Sequence, residues 1–438
     1  MRRMTLNRRI FLAGAAALAA PLSAHGMDAA QFGVRPGAPD DQSRALQRAI
    51  DETARRRVPL VLVPGVYRAG DLKLPAGANI TGVRGAKLVL TRGPSLLSAE
   101  RADTIALSGL TLDGGNQPLP EHRGLLHLNN ARGMRLVDCA ILSSGGHGVA
   151  LEECDGEIAR NTISGAADTA LFSTDSRGLQ ITANVIRSSG NGGIRVWQSE
   201  KRSDRSLIAG NIIDDTQARA GGTGENGNAI NIFRAGAVTV RGNRIDNAAF
   251  SAIRGTAAND IQIINNSCRA IGEVAIYSEF EFINALIADN TIDGARAGIS
   301  VTNFKEGGRL ATVRGNIVRN IGAREDDKGN GVGIAAEADT TVIGNTVENA
   351  ARIGISAGWG EYLRNVIVQA NTVRRSGIGV AVSVVKGAGA ASIIGNVLAA
   401  NTAGAIVGME WDKAVTGDLA QSGVERYPHI TIDRNRVI

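Results

Sequence analysis

The residues of this chain best suited to chemistry fall in three stretches. In Glu273-Val274-Ala275-Ile276-Tyr277-Ser278-Glu279-Phe280-Glu281 a phenol sits among three carboxylates. That composition can move protons or, through its oxygens, hold a hard cation such as Ca2+. No ordered ligand loop accompanies these acids, and salt pairing with Arg254 and Arg234 competes for them, so no metal or other cofactor is expected. The second stretch, Ser144-Gly145-Gly146-His147-Gly148, is followed one repeat later by Asp168-Thr169. His147 and Asp168 can form an acid/base or orienting pair, with a structural His in a Gly-rich turn as the equal alternative. In the third, Arg195, Trp197, Asn231, Phe233, Arg234, Arg254 and Asn303 interleave guanidinium, amide and aromatic groups. A ring face stacks on a sugar and an Arg holds a carboxylate by two bonds, so this mixture suits an acidic sugar. The competing reading is a solvated face whose Arg residues pair with Glu279.

These residues can act together only on a scaffold that stacks distant parts of the chain. From about residue 134 the sequence repeats apolar, two residues, Asn, one residue, apolar, a variable turn, then Gly-apolar-any-apolar. The asparagines are Asn161, Asn184, Asn211, Asn243, Asn266, Asn290, Asn316, Asn345, Asn371, Asn396 and Asn435, mostly 23 to 29 residues apart, with steps such as 32 and 39 marking longer loops. Self-similarity at this period predicts a solenoid whose coils bury a core only when stacked. The crossover rule for parallel strands makes it right-handed. The asparagines read as a structural ladder: each is expected at a bend, where Asn tolerates left-handed backbone, with amides bonded coil to coil.

Aligning the coils on Gly-apolar-any-apolar gives a first outward row of Ala150, Leu171, Arg195, Asn231, Arg254, Tyr277, Ser300, Ala335, Ser356, Ala381 and Ile406. A second outward row holds Trp197, Phe233, Glu279 and Thr302. Neighbours in such a row lie about 4.8 Å apart, so Arg195, Asn231, Arg254 and Tyr277 form one patch. The loop 221–228 is Gly-rich but precedes a strand, so it reads as a groove wall and not as a phosphate cradle.

Fifty-five Gly, 10 Pro and 3% aromatic residues suit many tight turns and stacked aliphatic side chains. Residues 1–26 carry Asn7-Arg8-Arg9-Ile10-Phe11-Leu12 and an apolar run, the pattern of a twin-arginine export signal too short to span a membrane. Export through that machinery to the periplasm or beyond is expected, with no membrane attachment after cleavage. Without that segment Lys+Arg falls from 48 to 44 against 42 acids, a net charge of +2, which excludes a global argument for nucleic acid. Cys139, Cys154 and Cys268 lack metal-type spacing and read as buried small hydrophobes, a Cys139–Cys154 bridge being the alternative. Residues 27–66 read as an N-terminal cap and first strands, and 67–438 as the β-helix. In the cap, Asp40 or Asp41 starts a helix burying Leu46, Ala49, Ile50 and Thr53. Trp411 to Tyr427 breaks the period as a lid or end cap.

The strings Gln31-Phe32-Gly33-Val34-Arg35, Leu46-Gln47-Arg48-Ala49-Ile50-Asp51 and Val63-Pro64-Gly65-Val66-Tyr67 resemble the opening of the pectate-lyase and polygalacturonase superfamily. The stretches 221–236, 250–255, 273–282 and 302–311 resemble a narrower group, the twin-arginine-translocated uncharacterized repeat proteins. The resemblance implies an all-β, single-stranded right-handed parallel β-helix with a short N-terminal capping helix. Gly146-His147-Gly148 is similar to the polygalacturonase histidine motif, but no Asn-Thr-Asp accompanies it.

Glycoside hydrolysis needs two carboxyls roughly 5 to 9.5 Å apart, and the aligned rows offer no convincing dyad. Elimination on a uronate needs a cation for the carboxylate and a base for the adjacent proton, jobs open to Arg195 or Arg254 and to Tyr277. The expectation is therefore a lyase-like protein acting on an acidic polysaccharide. Catalytic candidates are Arg254, Tyr277, His147 and Asp168; Arg195, Trp197, Asn231, Arg234, Glu279 and Asn303 are binding candidates. A non-catalytic glycan-binding or envelope protein, and a hydrolase using Asp168 and His147, are the alternatives.

Overall fold

The alternation of branched apolar and polar residues sets the architecture. In the computed structural model, which describes residues 26–222, 224–322 and 330–438, each repeat forms three short strands that pair in parallel with the same strands of the next coil. All but the last residue of the expected export signal, 1–26, lies outside the described residues. About 13 turns build a right-handed parallel β-helix with three walls. The first wall is a 16-stranded sheet; the other two form one 28-stranded sheet, joined where Ser267–Glu279 and Thr291–Val301 run through the corner between them.

Inside, like stacks on like. Ile181, Ile208, Val240, Ile263 and Ile287 succeed one another in register along the first wall, each at 0% exposure. No single coil could enclose these side chains, so their burial belongs to the stack. The capping helix, Ser43–Arg56, covers the N-terminal end with Leu46, Ala49, Ile50 and Thr53 buried. Its N-cap is Gln42, one residue later than expected, although Asp41 Oδ1 still accepts the Ser43 N–H at 2.9 Å. At the other end, Lys413–Asp418 turns back antiparallel on Ile406–Glu410 and covers that edge of the third wall. This part of the non-periodic tail thus caps an edge. All three cysteines are free and buried, and burial pushes the Cys139 and Cys154 thiols up to about 11.

The corner between the first and second walls carries the asparagine ladder. Asn290 Nδ2 donates to Asn316 Oδ1 at 3.0 Å and to Ile263 O at 2.9 Å, while the Asn290 backbone N–H also reaches Asn316 Oδ1. The same pattern links every successive pair from Asn161 to Asn435. One expectation needs correction: the left-handed residue is the one before each Asn. Arg160, Ala183, Asp289 and Ala370 all have φ between 51° and 58°, and Gly210, Gly242 and Gly315 take the same place. The asparagine is there because a buried corner needs a side chain with both a donor and an acceptor.

Asn290→Ala leaves several buried donors and acceptors without partners, each costing about 1–3 kcal/mol. Urea denaturation of this variant is expected to show a loss of at least about 3 kcal/mol, against less than about 0.5 kcal/mol for the exposed Gln180→Ala.

Candidate functional site

The outward positions of the third wall carry the candidate chemistry. Register runs Phe172, Arg195, Asn231, Arg254, Tyr277, Ser300, Ala335, Ser356 and Ala381. The expected row therefore slips by one at its ends, where Phe172 and Val407 stand in place of Leu171 and Ile406. The second row runs Trp197, Phe233, Thr256 and Glu279.

Burial changes how the polar row can work. Arg254 is 7% exposed; its Nε donates to Glu279 Oε1 at 2.7 Å and its Nη1 lies 3.5 Å from Glu273 Oε2. Glu279 itself is 1% exposed and also accepts the Thr256 hydroxyl at 2.9 Å. Arg195 donates to Asn226 Oδ1 at 2.7 Å and to Asn191 O at 3.1 Å. Asn231 holds the Trp197 indole N–H at 2.9 Å and donates to Gly224 O at 2.8 Å. Loop 221–228, of which Thr223 lies outside the described residues, is thereby pinned over Arg195 and Asn231. Neither Arg195 nor Arg254 is an open carboxylate clamp, and Asn231 and Glu279 fix neighbours in place. A buried charge needs such partners, because its desolvation is costly.

His147 and Asp168 do meet, with Nδ1 and Oδ2 3.6 Å apart. His147 is 2% exposed, packs 4.9 Å from the Phe172 ring, and burial lowers its imidazole to about 4, so it is neutral. His147 lies five coil steps from Tyr277, about 24 Å along the axis, and Asp168 four steps, about 19 Å. The four catalytic candidates therefore belong to two separate places.

Tyr277 opens onto a place where irregular segments close over the wall. A cleft of about 330 Å³ lies between Tyr277, Ser300 and Asn303 on one side and Trp359 and Trp411 on the other, with Glu337 in its lining. The rings form a connected wall: Trp359 to Trp411 5.9 Å, Tyr362 to Trp411 6.2 Å, Phe304 to Tyr362 6.0 Å. Burial pushes the Glu337 carboxyl up to about 7, against the single Phe304 N–H at 2.6 Å that favours its ionised form. Burial, then the Glu279 charge, pushes the Tyr277 phenol well above its ordinary value. Tyr277 thus stays protonated at neutral pH, which suits it to donating a proton and not to taking one. Arg352 and Asp412 also line the cleft.

Sequence reasoning missed Glu337, Trp359 and Trp411 as site residues. Continuing the second row past Thr302 by one coil reaches Glu337, because Ser300 pairs with Ala335. Nothing periodic marks Trp359 or Trp411, which sit in the inserted segments.

Comparisons bear on the fold. A family model for the right-handed β-helix region matches residues 101–213. Another, for the periplasmic copper-binding protein NosD, matches residues 223–420. No curated protein matches the sequence. Similar solved structures include the N-terminal fragment of gene product 12 of bacteriophage Phi29, with a TM-score of 0.55, 14% identity, and 87% of this chain and 68% of that one covered. The pre-mature form of that protein gives 0.51 and 13%, covering 88% and 66%. The Streptococcus pneumoniae surface protein and adhesin PfbA gives 0.47 and 12%, covering 94% and 97%.

The copper-binding description can be tested against the donors present. Residues 223–420 contain no His, and their sulfur atoms are those of Cys268 and Met409. Cys268 is 1% exposed, with its thiol pushed up to about 12 by burial, and Met409 is 7% exposed. Among the described residues no three His, Cys, Asp or Glu side chains are grouped to hold a metal. Copper favours imidazole and soft sulfur ligands, so these residues do not fit it. The coil register, the asparagine corner and the match to the β-helix region agree: this chain is a right-handed parallel β-helix protein.

Proposed function

We propose that the chain is an exported, carbohydrate-active β-helix protein that performs acid–base chemistry on an acidic polysaccharide in the Tyr277–Glu337 cleft, with uronate elimination as the favoured reaction. The observation that carries this reading is a cleft lined by Tyr277, Glu337, Phe304, Trp359 and Trp411, in which burial pushes the Glu337 carboxyl up to about 7. A base or acid poised near the working pH is the signature of proton transfer, and the rings supply faces on which sugars stack. The periplasmic family matched over 223–420 and the expected twin-arginine signal both support export. The likeness to the twin-arginine-translocated repeat group belongs to the same reading.

Tyr277 and Glu337 belong to coils two steps apart, about 9.6 Å, which leaves room for one sugar between them. With the uronate carboxylate held by Arg352, the cation in the cleft lining, and by the Asn303 amide and the Ser300 hydroxyl, ionised Glu337 takes the proton beside that carboxylate. The glycosidic C–O bond breaks, a C=C bond forms, and the Tyr277 hydroxyl gives its proton to the departing oxygen. Solvent then takes the proton from Glu337 and returns one to Tyr277. Asp412 in the same cleft offers a second carboxyl for hydrolysis, with Glu337 then acting as the acid.

Residues 27–438 incubated with acidic and neutral polysaccharides, with and without Ca2+, are expected to generate unsaturated-uronate absorbance together with reducing ends on one acidic polymer. Reducing ends alone would move the assignment to hydrolysis, and silence on both would overturn an enzyme. For elimination, kcat/KM should rise with pH to a plateau above about 7, because Glu337 must be ionised; a fall above that pH would identify it as the acid. Glu337→Gln should lower the rate at least about a hundredfold. The same change should also raise stability at pH 8 relative to pH 5. The folded protein holds the Glu337 proton more tightly than the unfolded chain, so ionisation between about 4.5 and 7 costs the native protein stability that Gln does not lose.

A further inference from the structure

The third wall carries a second aromatic feature remote from the cleft. Phe172, Trp197 and Phe233 occupy three successive coils, with ring centroids 5.2 and 5.8 Å apart, and all three are partly exposed. Trp197 and Phe233 are not needed to fill the core, since the inward side of their strands is already filled by Ile194, Val196, Ile230 and Ile232 at 0% exposure. The row is also built, because the Trp197 ring plane is fixed by its N–H bond to Asn231, itself 2% exposed. Arg234, which is exposed, lies 4.8 Å over the Phe233 ring and is tied by Nη1 to Ser199 O at 2.7 Å.

We infer that Phe172, Trp197 and Phe233, with Arg234 beside them, form a distal binding row for the same anionic polysaccharide, which lies along the helix axis and reaches the cleft. The inference rests on the cleft being a glycan site. Trp197 and Phe233 follow one another in the second outward row, and Phe172, from the first row of the preceding coil, lies beside Trp197. The coil spacing, about 4.8 Å, is close to the advance per sugar in an extended polysaccharide, so successive sugars can meet successive rings. An exposed guanidinium at a ring edge adds a contact that only an anionic sugar uses. From the coil of Trp197 to that of Glu337 is five steps, about 24 Å. A trisaccharide cannot span that distance. The row therefore makes binding depend on chain length: a polymer engages both places, and the second contact multiplies affinity by raising its effective concentration.

The probes are polygalacturonate, alginate, xylan and mixed-linkage β-glucan cast in native gels, and trigalacturonate or trimannuronate in solution. The full chain should be retarded by an acidic polymer. Trp197→Ala should weaken that retardation at least tenfold and Trp197→Phe less than threefold, while quenching of Trp359 and Trp411 fluorescence by the trimer is unchanged. On the unmodified chain, the polymer and not the trimer should protect Trp197 from oxidation by N-bromosuccinimide, read by peptide mass spectrometry. Absence of retardation by every polymer, equal retardation of Trp197→Ala, or Trp197 oxidised at the same rate with polymer present would overturn the inference. If Glu337→Gln abolishes turnover while Trp197→Ala binds polymer normally, the row fails and the cleft stands. If Trp197→Ala loses binding while Glu337→Gln remains active, the row stands and the cleft chemistry fails.

Discussion

A parallel β-helix depends on register between coils, and in this chain the buried asparagine corner fixes it. Each amide accepts from the coil before and donates to the coil after, and it also donates to a backbone carbonyl of the coil before, as Asn290 does to Ile263. A shift of one coil by one residue would break these bonds and turn the aliphatic row out of the core. Because polar groups buried without partners are expensive, the ladder excludes such shifts along the stack. Side chains far apart in sequence are thereby held one above another on the outer face.

That same register creates an electrostatic difficulty. Arg195, Arg254 and Glu279 stand within four successive coils on a wall partly covered by loops, and each is almost fully buried. They are tolerated through mutual pairing and through Asn191, Asn226 and Thr256. The middle of the wall is thus a fixed polar lattice. The cleft differs because Glu337 shares its lining with Tyr277, Phe304, Trp359 and Trp411 and receives one backbone hydrogen bond. Desolvation without a cationic partner holds its proton near neutral pH.

The fold was legible because it is periodic. The asparagine recurrence, the alternating strands and the amphipathic helix with Leu46, Ala49 and Ile50 each state a repeat that stacking turns into structure. The backbone strain at the corner was placed one residue late, since side-chain type marks the hydrogen bond while the left-handed φ falls on whatever precedes it, Ala183 and Arg160 included. The row from Arg195 to Tyr277 was legible as neighbours, but not as buried partners, because covering loops such as 221–228 follow no period. For the same reason Trp359 and Trp411 were not recognised as cleft walls, although the segment from Trp411 was recognisable as a break in the repeat.

The account turns on the ionisation of one side chain. Carbon-13 labelling of the glutamate carboxyls, with Glu337→Gln to assign the resonance, allows Glu337 to be titrated by NMR in the unliganded chain. The proposed chemistry predicts a midpoint close to 7, well separated from the exposed glutamates. A midpoint near the ordinary carboxylate range would mean that water or a partner already satisfies Glu337, and the cleft would then have no group poised to move a proton.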